Sequence, residues 1–133
     1  MTTTVWMDGW QLECCGEPFT VGQQVSWSVH ESDREWLEKM LGVESAREIG
    51  WAEDHHGSIT EDETSLSGIV ISIRVVHQRY EPVPGQGSRN LYPVTGSATL
   101  TSIQSTGQHG RVPDGRQLVG YVVELEASAP APA

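Results

Sequence analysis

Four side chains carry the donors that chemistry would recruit: Cys14 and Cys15 as one adjacent pair, His55 and His56 as another. Two thiolates and two imidazoles match the donor count of a structural zinc site. The spacing is unusual, because paired zinc ligands ordinarily stand about two to five residues apart so that both side chains converge. Neighbours on a strand point to opposite faces, so each pair would need a bend. Gly16 and Gly57 follow the two pairs and would permit one. Zinc held by Cys14, Cys15, His55 and His56 is therefore one candidate. The same residues allow a second, a cysteine nucleophile activated by histidine with Glu53 or Asp54 orienting the ring. The acid-rich surroundings oppose it, since nearby carboxylates disfavour the thiolate. A Cys14–Cys15 disulfide would be strained. The structural alternative puts Cys14 in the core beside Leu12 and makes the histidines turn residues next to Asp54.

Other motifs are weaker. Glu53, Asp54, Glu61, Asp62 and Glu63 cluster in sequence but lack the alternating order of a calcium-binding loop. Gly85 and Gly87 sit among prolines rather than between a strand and a helix, so they predict no phosphate cradle. No serine nucleophile elbow occurs.

Charge is more informative. The 133-residue chain has a formal net charge of −10. Residues 31–63 hold eleven acids and three bases, while residues 64–133 are close to neutral with four acids and five bases. Such a surface repels a nucleic-acid backbone and an anionic membrane. A basic protein or a cation is the natural counterpart. No apolar run approaches the ~20 residues of a membrane helix. Residues 1–11 have neither a basic region nor an apolar one, so a cytoplasmic protein is expected.

The elements that would position these residues begin with Gly9–Val29, which predicts a hairpin. Trp10, Leu12 and Cys14 alternate on its first arm, and Val25, Trp27 and Val29 on its second, with Gly16 and Pro18 at the corner. Trp6 shares the parity of the first arm, with Asp8 as an interruption where the strand should leave the core. One helix is expected. Ser32 and Glu35 form a capping box, Trp36, Leu37, Met40 and Leu41 make an apolar stripe, and Gly42 ends it. Ile49 and Trp51 mark a short strand, followed by an acidic loop over 60–64. Gly68 opens a strand with Ile69, Ile71, Ile73 and Val75 on one face, growing polar towards His77–Tyr80 as if leaving the core. Residues 82–93 and 106–115 predict loops. Strands are expected over 96–103 and 118–125, the latter with a bend or bulge at Gly120.

About six strands with one short helix predict a mainly β fold. With a single helix available for crossovers, the sheet should be largely antiparallel, forming a small, partly open barrel of the SH3-like or OB-like kind. The domain should span residues 5–126. Residues 1–4 should fray, and the Ala/Pro tail 127–133 should be disordered.

The stretches DGWQLECCGEPFTVGQQVSW, WAEDHHG, GIVISIRVV and GYVVELE resemble an uncharacterised actinobacterial family of small acidic domains, with CCGEPF and HHG as its distinctive parts. The resemblance covers Trp6 to Glu126. It implies a bacterial domain of unknown function, with no catalytic residues and no substrate. On the residues themselves, a non-catalytic protein-binding or adaptor module with an acidic face is the leading expectation. Glu35 and Glu38 would meet the basic partner, and an exposed Trp6 or Trp51 would be the anchor. The alternatives are a metal- or small-molecule-binding barrel and a Cys–His enzyme.

Overall fold

The computed structural model describes residues 2–9, 18–53, 64–82, 91–94, 96–108 and 116–127. In chain order these give strands β1 (Thr2–Asp8) and β2 (Gln24–Glu31), helices α1 (Arg34–Leu41) and α2 (Val43–Glu48), then β3 (Trp51–Glu53) and the 19-residue β4 (Thr64–Pro82). β5 (Leu91–Pro93), β6 (Thr99–Ile103), a 3₁₀ turn at Thr106–Gln108 and β7 (Arg116–Ala127) follow. The fold is mainly β, as expected.

The sheet is largely antiparallel, as expected, with one parallel pair that makes it mixed. β1 and β3 run parallel, Val5 opposite Trp51, while the other pairings are antiparallel. A parallel pair needs a long crossover, and the chain between β1 and β3 includes both helices. β2 bonds β3 on one side and the first part of β4 on the other. The pairings therefore form a ring, β2–β3–β1–β7–β4–β2, with β6 and β5 added along the later part of β4. β4 changes partner at Gly68, which stands opposite both Val25 and Ala127. A Cβ there would come within 2.5 Å of the Glu126 carbonyl oxygen, so the two strands can close only over a glycine.

β2 carries the predicted alternation, with Val25 and Val29 buried, Trp27 half-buried, and Ser26 and Ser28 exposed. Trp27 meets Phe19 edge to face at 5.0 Å. The Phe19 backbone is fastened to Thr106, whose Oγ1 accepts from the Phe19 amide. The first arm of the predicted hairpin, Trp10–Cys14, lies outside the described residues. So do the tail 128–133, the acidic stretch 60–63 and most of the two predicted loops.

β4 departs from the regular alternation, and the cause is local. Ile71 has no opposite residue: Val70 faces Leu125 and Ser72 faces Glu124. This bulge shifts the parity, so Val70, Ile73 and Val75 share one core cluster while Ile69 and Ile71 are exposed. A second bulge leaves Val119 of β7 unmatched, beside the predicted Gly120. The strand does not leave the core at His77. β6 and β7 flank it there, and His77 and Gln78 are both buried. Nor does the start fray, because Thr2, Thr3 and Thr4 pair with Glu126, Leu125 and Glu124.

Apolar side chains fill both faces of the sheet. Val5, Met7, Val29, Ile73, Tyr121 and Val123 belong to one cluster; Trp6, Ala52, Val76 and Val122 meet the helices in the other. The helices supply Leu37, Met40 and Ala46. α2 was not foreseen, since VESARE carries no apolar stripe of its own. It follows α1 after a one-residue break at Gly42 (φ +91°), a backbone conformation that favours glycine. The N-cap of α1 is Asp33 rather than Ser32. The Asp33 carboxylate accepts from the Trp36 amide at 3.1 Å, while the Ser32 hydroxyl donates to the Ile49 carbonyl at 2.7 Å.

Candidate functional site

Strand register places a row of residues on the face that carries the helices. His30 stands opposite Ala52, Ala52 opposite Trp6, and Trp6 opposite Val122. Ala52 has only a methyl group between two large side chains. Trp6 leans the other way, over Gly120, where a Cβ would lie 2.6 Å from Cζ2 and 2.8 Å from Cη2 of its ring. One small residue makes room for the indole, and the other leaves a gap beside it.

The first turn of α1 borders that gap. Trp36 packs edge to face on Trp6, with ring centroids 5.5 Å apart and planes at 72°. Leu37 is buried beneath the helix, whereas Trp36 is 40% exposed. A cleft of about 340 Å³ remains between the helix turn and the sheet, lined on its apolar sides by Trp6, Trp36, Leu37 and Ala52. Its polar lining is Asp8, His30, Asp33 and Glu53.

Each polar group comes from a different element and three are visibly oriented. Asp8 closes β1, and its Oδ1 accepts from the Trp6 indole nitrogen at 2.9 Å. Asp33 is held by its capping bond to Trp36. His30 Nδ1 lies 2.8 Å from the Glu31 carbonyl oxygen. A carbonyl can only accept, so Nδ1 carries a proton. Glu53, at the end of β3, is 3% exposed. Among the described residues, no Lys or Arg lines this cleft. It therefore presents carboxylates, an imidazole and indole surface. The described lining also contains no Cys, Ser or Lys that would serve as a nucleophile.

The structure treats the sequence-predicted site residues differently. Cys14, Cys15, His55 and His56 lie outside the described residues. Glu35 is exposed on α1 and Glu38 is half-buried. Trp51 is half-buried against the cluster that contains Val5 and Val29. Trp6, expected as an exposed anchor, is 3% exposed because α1 covers it; the indole that reaches solvent here is Trp36. Sequence reasoning missed the cleft as a unit. Two signals pointed towards it: Asp8 shares the parity of Trp6 two residues earlier, and Trp36 follows Asp33 within one helical turn. Ala52 and Gly120 gave none, since their role depends on strands far apart in sequence.

A family model described as a family of unknown function (DUF6578) matches residues 1–127, and the chain belongs to that family. No curated protein and no solved structure matches it. Among the described residues, no helix is long and apolar enough to cross a membrane.

Proposed function

We propose that this domain is a non-catalytic recognition module whose acidic face engages a basic partner protein, with the Trp6–Trp36 cleft receiving a cationic group from it. One observation carries the reading: three carboxylates and two indoles border a single cleft that no described Lys or Arg lines. Carboxylates in a partly dry cleft attract a cation more strongly than the same groups in open water, and an indole face adds cation–π attraction. Residues 31–63, with eleven acids against three bases, extend this potential beyond the cleft. The ring of strand pairings supports reading the scaffold as a small barrel. On that reading β1, β2 and β3 are fixed by closure, so the cleft is preformed rather than assembled on binding.

The test uses a fluorescent peptide of mixed Lys and Arg as the probe. Its association rate with the full chain should fall at least about tenfold as salt rises from low to high ionic strength. Changing Glu35 and Glu38 to Lys together should lower the low-salt rate by a similar factor while the fold is retained. A rate indifferent to both salt and charge reversal would show that the acidity serves only solubility.

A further inference from the structure

Resting on that reading, we propose that the cationic group taken by the cleft is the guanidinium of an arginine side chain presented by the partner protein. The inference follows from what the lining can and cannot bond. Asp8, Asp33 and Glu53 as carboxylates only accept hydrogen bonds, and the Nδ1 of His30 is committed to the Glu31 carbonyl. The Trp6 indole N–H is already given to Asp8. A polar ligand here would meet acceptors and would therefore bring donors.

Three donor-rich or cationic groups compete: a metal ion, an ammonium and a guanidinium. A metal ion needs its ligands to meet at one point. Among the described residues, no three His, Cys, Asp or Glu side chains come together in that way. Instead the carboxylates are distributed over β1, β3 and the cap of α1, around apolar walls. An ammonium is compact and strongly hydrated, and its three donors also call for acceptors gathered at one end. A guanidinium is planar and more weakly hydrated, and it projects five N–H donors outward around its edge. Its faces stack on indoles. Spread acceptors around paired tryptophans match that shape. A cleft of about 340 Å³ accommodates an arginine head and part of its stem. Trp36, partly exposed and lining the cleft, offers indole surface for the aliphatic stem to pack on.

The two carboxylates with visible bonds are held before any ligand arrives. Asp8 is fixed by Trp6 and Asp33 by the helix backbone, so little side-chain ordering is required on binding. Asp8→Asn removes a charge from the cleft yet keeps an oxygen that accepts from Trp6, so it separates charge from folding.

The experiment titrates the full chain, ¹⁵N-labelled, with blocked tripeptides Gly-Arg-Gly, Gly-Lys-Gly and Gly-citrulline-Gly, and separately with Zn²⁺ alone. The indole N–H signals of Trp6 and Trp36 are followed. The arginine peptide should shift both indoles saturably. The lysine peptide should bind about tenfold more weakly, and the uncharged citrulline peptide should leave the indoles unmoved. Asp8→Asn should weaken the arginine peptide about tenfold with an unchanged melting temperature. Equal binding of Arg and Lys peptides would overturn the guanidinium assignment and leave the cation cleft standing. Saturable indole shifts with Zn²⁺ and none with the arginine peptide would replace it by a point cation. If neither the peptides nor Zn²⁺ move either indole, this inference and the recognition reading on which it rests both fail.

Discussion

Trp6 joins the fold to the proposed function through three contacts of one side chain. Its ring crosses Gly120, its N–H bonds Asp8, and it packs edge to face with Trp36. An added methyl at position 120 would collide with the ring and with the Met7 carbonyl oxygen. Gly120→Ala should therefore lower unfolding stability by about 1–3 kcal/mol in urea denaturation, as overpacking of a filled site does. It should also shift the Trp6 indole N–H resonance, because the ring that bonds Asp8 must move. A Gly120→Ala protein with wild-type stability and an unmoved Trp6 signal would mean that the indole does not lie over β7. The glycine was legible in sequence as an irregularity in a strand. Its partner was not, because Trp6 stands more than a hundred residues away and meets Gly120 only through the β1–β7 register.

The elements show the same division between local and long-range information. β2 was readable because its alternation is unbroken and one face is buried. β4 was readable as a strand but not in its phase. A single unmatched residue, Ile71, moves Ile69 and Ile71 outward and turns Val70 inward, and nothing in the run GIVISIRVV marks that position. The pair Ile71→Ala and Ile73→Ala tests the bulge directly. Loss at the exposed Ile71 should cost about 1 kcal/mol or less, whereas loss at the buried Ile73 should cost about 2–5 kcal/mol. Equal costs would restore regular alternation. The helix was found, but its cap was placed one residue early, because Ser32 and Asp33 are both competent caps and only tertiary packing sends the Ser32 hydroxyl to Ile49. Asp33→Ala should destabilise by about 1 kcal/mol through loss of the cap. Asp33→Asn should restore stability while still weakening binding of a basic peptide, since it keeps the oxygen acceptor and removes the charge. If Asn fails to recover the stability lost with Ala, the cap bond is not what Asp33 contributes.

At the scale of the molecule, charge was the feature most fully legible beforehand. The −10 total and its concentration in residues 31–63 follow from composition alone. What composition could not supply is which of the acids line one cleft. Asp8, Asp33 and Glu53 belong to three elements that strand pairing and the docking of α1 bring to one cleft. The central claim is that this cleft, rather than acidity in general, is the point of recognition. A backbone amide shift map of the full chain, titrated with a mixed Lys/Arg peptide, tests it most directly. The predicted result is a compact set of saturable shifts over residues 6–8, 30–37 and 51–53, with little change on the exposed Ile69–Ile71 segment of β4. Shifts that scatter over the acidic surface without saturating, or that centre on β4 instead, would contradict it.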